Sequence, residues 1–330
     1  MIEKYTTAQL AHLLYEAQTN RVAISPLSEL EPGISVKEAY EVQMINVRRA
    51  IKAGARISGK KIGLTSLAMQ QMLNVNEPDY GHLFDTMDMT YGVAPDSAPA
   101  LSSVLTTAPA TTSAATPAPA SAQAFVSAAV PASTTSPAPV DTSTFESVTA
   151  PAAAPAPALA PAAAPADILL QPKVEGEIAF VLGQDVAGPG VTPRQVLEST
   201  DYVVAALEIV DSRIRDWKIT LADTVADNAS SGCYVLGGKR VSVSDIALPD
   251  VQMVFYKNGL EMNRGSGAAV LGDPAFCVAW LANKLWDFGV TLKKGEVVLS
   301  GALSAAIAAE RGDVFKADMT GLGSVEVRFF

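Results

Sequence analysis

Three glutamates offer the densest chemistry in this chain. Glu175 and Glu177 stand in "PKVEGEIAFVL" (172–182), and Glu208 stands in "VVAALEIV" (203–210). The first segment alternates as a strand does. Val174, Gly176, Ile178, Phe180 and Leu182 point one way, and Glu175, Glu177, Ala179 and Val181 point the other. Both faces are apolar by Phe180, so a strand covered on both sides is expected, with two like charges side by side at its mouth. A lone Glu-x-Glu is more often a solvated strand end. Glu208 shifts the balance, because an isolated ionised carboxylate among apolar neighbours is very costly and must be paired, protonated or metal-bound. Lys173 and Arg213 are near enough in sequence to pair with it. A hard cation such as Mg²⁺ or Mn²⁺, shared by all three carboxylates, would satisfy them together and leave coordination positions for water or substrate. An open site of that kind is a catalytic site.

The elements that must position these residues fall on either side of a change in composition. From about 93 to 166 the chain is built of Ala, Pro, Ser and Thr; it holds more than half of the 21 prolines and no glycine. Frequent proline forbids a continuous helix and removes sheet donors, and few large side chains remain to make a core. An extended, disordered insert is expected there. Its flanks amount to roughly 250 residues, an ordinary single-domain size. Residues 1–92 read as the mostly helical first part of that domain, opening with an amphipathic helix behind a Thr cap. Residues 167–330 read as its β-rich second part.

Strands are expected at "EGEIAFVL", "DYVVAALEIV", "VQMVFYKNG", "GEVVLSGAL" and "SVEVRFF", separated by turns at "KNG", "KKGE" and "ERGD". One helix interrupts them, with Asp273 as N-cap, Pro274 at its first position and Gly289 beyond its end. Segregated strands and helices make the class α+β. A net charge of −10 argues against a nucleic-acid partner. Two distant cysteines in apolar surroundings fit a reducing cytoplasm. No apolar run is long enough to suggest a membrane span, and no leader is evident.

Taken together, "GKKIGLTS" (59–66), "NEPDYGHLFDTM" (76–87), "QPKVEGEIAFVL" (171–182), "ALEIVDSRIRDWKI" (206–219), "DTVADNASSG" (223–232), "GAAVLGDP" (267–274) and "GLGSVEVRF" (321–329) resemble the 2-hydroxypenta-2,4-dienoate (2-oxopent-4-enoate) hydratases. These belong to the hydratase/decarboxylase group of the fumarylacetoacetate hydrolase-like superfamily. The resemblance runs through residues 1–92 and 167–330 in order, and the insert has no counterpart in it. It implies a mixed β-sandwich or roll with peripheral helices, a homo-oligomer, and a role in aromatic meta-cleavage catabolism. It also implies metal ligation by Glu175, Glu177 and Glu208, with Mg²⁺ or Mn²⁺ as the cation.

Lys61 matches the family's lysine before "GLT", and Asp79 matches its aspartate in the "PDYG" motif. Without the resemblance, Lys61 is a solvated lysine beside Lys60 as readily as a functional one, and Asp79 reads as a turn residue after Pro78. The chemistry agrees with the functional reading. A 2-hydroxydienoate offers a carboxylate and an adjacent enol oxygen to a hard cation, and its hydration needs proton transfers that a carboxyl and an amine can serve. Asp79 is the expected acid/base, and Lys61 the expected holder of the substrate carboxylate or enolate, or a proton shuttle.

Ser300 is a candidate substrate-binding hydroxyl, balanced against a role in shaping a turn. "ADNASS" (226–231) is expected to line the pocket or cap a helix. His82 is expected near the site or at the surface, and "GSGAAVLG" lacks the setting of a nucleotide loop. Two rival activities share the scaffold: decarboxylation of 4-oxalocrotonate and hydrolysis of an acylpyruvate C–C bond. The resemblance separates the first through Asp79, where decarboxylases carry an apolar residue. A catalytically dead scaffold is the rival of another class, and the intact acids and lysine weigh against it.

Overall fold

A computed structural model describes residues 4–66, 70–71, 75, 77–90 and 162–330. Helix α1 (Thr7–Asn20) starts where Thr6 and Gln9 cap one another, and α2 (Leu27–Leu30) follows as a single turn. A second such box, Ser35 with Glu38, starts α3 (Val36–Lys52). In both, the side chains satisfy main-chain N–H groups that a helix start leaves unpaired. Strands β1 (Ile57–Gly63), β2 (Asp79–Phe84), β3 (Ala162–Ala164) and β4 (Pro172–Leu182) come next, then α4 (Pro193–Ser199), β5 (Thr200–Asp211) and α5 (Leu221–Ala226). The chain continues through β6 (Ser231–Leu236), β7 (Gln252–Lys257), β8 (Leu260–Ser266) and α6 (Pro274–Trp286), capped by Asp273. It ends with β9 (Val297–Ala302), β10 (Ile307–Ala308), β11 (Val314–Met319) and β12 (Gly323–Phe329).

The larger sheet runs β2-β1-β9-β4-β5-β6, with β10 beside β4. It is mixed, because β1 and β9 are parallel while β4 is antiparallel to both β5 and β9. It also curls until its ends meet. The chain beyond β2 reaches β6, where Asp88 bridges Tyr234 and the Met89 N–H donates to the Tyr234 carbonyl at 2.9 Å. On the inner face of this roll, Leu83, Ala179, Val204, Ala206, Tyr234, Val297 and Leu299 make a small apolar cluster. The outer face, with Val174, Ile178, Phe180, Val203 and Leu207, joins the main core. That core is completed by the helices and by a second sheet, β3-β12-β11-β7-β8.

The expected α+β class and mixed β roll with peripheral helices are what the chain forms. Three local expectations need correction. Residues 1–92 are expected to be mostly helical, yet β1 and β2 lie side by side in the same sheet as β4 and β9. "ISGKKIG" shows little apolar alternation, and it is strand because β2 and β9 pair with it on both sides. Asp79 is not in a turn; it opens β2 opposite Gly63. The last residues of the expected insert are ordered, since Ala162–Ala164 pair in parallel with Val327–Phe329, with Ala162 and Ala164 buried. Alanine is small enough to sit against that sheet, and Phe330 carries the main-chain bonding past Pro165 to the Ala166 N–H at 3.0 Å. Residues 93–161 lie outside the described residues. Cys233 and Cys277 are free and buried, and among the described residues no helix is long and apolar enough to cross a membrane.

Candidate active site

Register brings the acids together. Glu175 lies directly opposite Glu208 across the β4–β5 pair, and Glu177, two residues further along β4, lies on the same inner face. Each of the three offers a carboxylate oxygen within 4.8 Å of the others. Glu177 and Glu208 are fully buried, at 0% exposure. Like charges directly opposite one another on a sheet are destabilising, and here Glu208 is also withheld from water while Glu175 is half-buried. The consequence is visible in their titration. Burial first, then Glu208, pushes Glu175 up to about 7. Burial, then Glu208 and Glu175, raises Glu177 well above the carboxylate range, and burial raises Glu208.

The hydrogen bonding is as incomplete as the charge. Glu177 Oε2 accepts from the Gly301 N–H at 2.8 Å, while its Oε1 and both oxygens of Glu208 find no hydrogen-bond donor. Gly301 has φ +108°, and a Cβ there would meet the Thr65 side chain at 2.3 Å, so this bond requires glycine. Buried polar atoms without partners are rare in folded proteins, and each calls for an explanation such as a catalytic role, a water or an ion. An all-oxygen set of this kind suits a hard divalent cation.

Lys61 and Asp79 close the inner face on the β1–β2 side. Lys61 Nζ lies 3.5 Å from Glu208 Oε1 and 3.9 Å from Asp79 Oδ1, and donates to the Ala229 carbonyl at 3.0 Å. Burial works against its charge, but Glu208, Asp79, Glu175 and Glu177 outweigh it and hold the ammonium above its usual range. Lys61 is therefore a cation at neutral pH. Asp79 Oδ2 accepts from the Thr224 hydroxyl at 2.5 Å, and Oδ1 has no hydrogen-bond donor. A Cβ at Gly63 would sit 2.3 Å from that Oδ1 and 2.9 Å from Lys61 Nζ. The absent side chain at 63 is what leaves the gap between them open.

The carbonyl that receives Lys61 is held by strain. Asn228, Ala229 and Ser230 are all left-handed, with φ of 54°, 51° and 51°. Non-glycine residues adopt that region at a cost and keep it only when the surroundings impose it. Arg213 imposes it. Its Nε donates to Asp227 Oδ1 at 2.5 Å, its Nη1 to the Asp211 and Ser231 carbonyls at 2.6 and 2.8 Å, and its Nη2 to the Asp227 carbonyl. Asn228 adds a second tether, exchanging two hydrogen bonds with the main chain of His82 at 2.8 and 2.9 Å.

Known proteins share this combination of sequence and fold. Residues 119–330 match the family described as Fumarylacetoacetate (FAA) hydrolase C-terminal. A 2-keto-4-pentenoate hydratase of Paraburkholderia xenovorans is 38% identical over 321 residues, covering 97% of this chain and 94% of that protein. This chain belongs to the fumarylacetoacetate hydrolase family. Another relative in the family, the 2-hydroxyhexa-2,4-dienoate hydratase of Comamonas testosteroni, is 36% identical over 96% of this chain and 94% of its own length. Among solved structures, a 4-oxalocrotonate decarboxylase from Pseudomonas putida, in complex with magnesium and adipate, superposes with a TM-score of 0.74. It is 27% identical and covers 99% of this chain and 100% of its own.

Within this family member, two expected residues sit differently from their sequence reading. The Ser300 hydroxyl donates to the Ile178 carbonyl at 2.8 Å inside the sheet, and the group this segment gives to the carboxylates is the next N–H, at Gly301. His82 is not at the surface; it is 2% exposed, and burial together with Lys60 pushes it down to about 3. Its Nδ1 lies 3.0 Å from Gln43 Oε1, while Gln43 Nε2 donates to the Tyr80 and Val225 carbonyls. Gln43 thus ties α3 to both β2 and α5, and the sequence contains no signal for it. Thr224 and Ala229 are reachable from sequence only as members of polar stretches between apolar ones. Lys60, the other lysine of the pair, is buried on the outer face and bonded to Glu296 at 2.9 Å.

Proposed function

We propose that this chain is a metal-dependent hydro-lyase that adds water to a dienoate of the 2-hydroxypenta-2,4-dienoate type, giving a 4-hydroxy-2-oxo acid in aromatic meta-cleavage catabolism. One observation carries the reading: a buried lysine–aspartate pair stands beside three clustered carboxylates, and buried oxygens of two of them, Glu177 and Glu208, lack donors. Glu175, Glu177 and Glu208 would hold Mg²⁺ or Mn²⁺. When bound, such a cation supplies positive charge that stabilises an enolate and the carboxylate next to it.

The chain's own residues supply the rest. Lys61, held charged and aimed by the Ala229 carbonyl, binds the anionic end of the substrate and orients it. Hydration needs a proton delivered to the terminal carbon, which yields an α,β-unsaturated ketone. Water then adds at the carbon β to the ketone, losing one proton as it attacks, and the enolate so formed takes a proton at the α carbon to give the 4-hydroxy-2-oxo acid. Asp79 Oδ1 has no donor of its own and is free to take the proton that water loses. The apolar cluster on the inner face below excludes bulk water from the site. Ser300, whose hydroxyl is bonded to the strand, is read as shaping the β9 backbone. A cytoplasmic homo-oligomer is the expected working form.

The reading is tested by following the ultraviolet band of 2-hydroxypenta-2,4-dienoate with and without Mg²⁺ or Mn²⁺ and identifying the product. Asp79→Asn is expected to lower hydration by at least about 10²-fold, while metal-dependent exchange of substrate C–H protons survives in part. The second reading is decarboxylation of 4-oxalocrotonate, favoured by the superposition on a decarboxylase. Faster CO₂ release from 4-oxalocrotonate than hydration of the dienol would replace the first reading by the second.

A further inference from the structure

We propose that Thr224 is a positioning residue that decides which oxygen of Asp79 moves the proton; this rests on the reading of Asp79 as the acid/base. Threonine is an indifferent helix former, and inside a helix its hydroxyl commonly turns back to the carbonyl four residues earlier. In α5 it does not. Thr224 is 1% exposed, and its hydroxyl donates to Asp79 Oδ2 at 2.5 Å, across 145 residues of chain.

The hydroxyl is held there by groups with no part in the chemistry. Thr220 and Asp223 cap α5 reciprocally. Asp223 also accepts from the Ser28 N–H and hydroxyl at 2.9 and 2.7 Å, and Gln43 Nε2 grips the Val225 carbonyl at 2.6 Å. The helix therefore cannot turn to present a different side chain to Asp79.

The chemical consequence concerns the two carboxylate oxygens. Oδ2 already accepts a short hydrogen bond from the Thr224 hydroxyl, and protonating it would cost that bond. Oδ1 has no donor, faces Lys61 Nζ at 3.9 Å, and borders the space left by the missing side chain of Gly63. The arriving proton is taken at Oδ1, and Oδ2 stays an acceptor in both protonation states. Thr224 thereby keeps the carboxylate from rotating and exposes one basic site in one direction.

The test uses the full-length enzyme loaded with Mg²⁺. Thr224→Val keeps the shape and removes the hydroxyl, and Thr224→Ser keeps the hydroxyl. For Thr224→Val, kcat for hydration should fall about tenfold to 10²-fold, the scale of a misaligned acid/base, with KM and Mg²⁺ affinity held within about twofold. Thr224→Ser should recover most of that loss. In an Asp79→Asn background, Thr224→Val should cost nothing further, since groups that act as one unit are not additive. Should the valine variant fail to fold, Thr224→Ala against Thr224→Ser gives the same comparison. A full additional loss in the Asp79→Asn background, or equal activity in the valine and serine variants, would overturn the inference. If Asp79→Asn hydrates normally, the reading of Asp79 fails. If Asp79→Asn loses hydration and Thr224→Val does not, that reading stands and this inference alone falls.

Discussion

Two buried ionic clusters lie close together in this protein and differ in how completely they are satisfied. Around Arg213, every charged group is answered. The guanidinium reaches one carboxylate and three carbonyls, and Asp227 Oδ2 accepts from the Arg213 N–H and from Ser212 and Ser230. Around Lys61, one cation faces Asp79, Glu177 and Glu208, and four carboxylate oxygens there have no hydrogen-bond donor. Arg213 and Asp227 in the one, and Lys61, Asp79, Glu177 and Glu208 in the other, are all buried. The difference teaches that burial of charge is not by itself a sign of function. A closed cluster holds main chain in place, here the left-handed turn that carries Ala229. An open cluster leaves oxygens unanswered, and in the function proposed here these would take a cation.

If that contrast is right, the two clusters should respond in opposite ways to neutralisation. The largest effect is expected at the open one. Chelation, or Glu208→Gln, should remove hydration by about 10³-fold or more, because the proposed reaction depends on a cation at this cluster. The metal-free Glu208→Gln protein should nevertheless melt no lower than the metal-free wild type, since it loses a buried like charge. Mg²⁺ titration calorimetry and a thermal melt report the two halves separately. Full activity in excess chelator would remove the basis of the comparison.

At the closed cluster the expected loss is of stability. Arg213→Met leaves Asp227 buried without its cation, which typically costs about 3–5 kcal/mol. Denaturant unfolding should register it directly. A variant as stable as the wild type would mean that Asp227 is satisfied by its other donors and that the turn does not need the guanidinium.

The smallest effect is one of pH, and it sharpens the picture of the open cluster. In the metal-free protein the Glu175 carboxyl sits at about 7, chiefly from burial. The sign follows from that elevation. Below about pH 7 the cation must displace a proton, and above it the carboxylate is already ionised. Apparent Mg²⁺ affinity should therefore fall by about tenfold per unit of acidification below that point on account of Glu175 alone, and more steeply where Glu177 must also lose a proton, with proton release on binding. Affinity that rises on acidification would contradict the assignment of Glu175 as a ligand.

Much of the site is legible in the sequence because its parts are local. Alternation along β4 puts Glu175 and Glu177 on one face whatever the strand pairs with, and the apolar run around Glu208 makes its charge a problem in any fold. Lys61 and Asp79 are legible only through the family resemblance. From residue types alone, Lys60 has an equal claim, and Asp79 looks like a turn residue. The strands around these two escape a reading of periodicity for a related reason, since glycines and lysines mask the alternation of β1.

What the sequence determined by itself, then, was composition and phase: an acidic α+β chain with a proline-rich stretch, a strand opening on two carboxylates, and a helix started by Asp273–Pro274. These follow from torsional and capping preferences acting over a few residues. The tertiary structure alone decided that Glu208 stands opposite Glu175, that Lys61 faces inward while its neighbour pairs with Glu296 outside, and that Thr224 meets Asp79. Register between distant strands, and the seating of a helix against them, are set by packing over the whole core. No window of sequence contains that information, because the contacts are made between segments that meet only once the roll has closed.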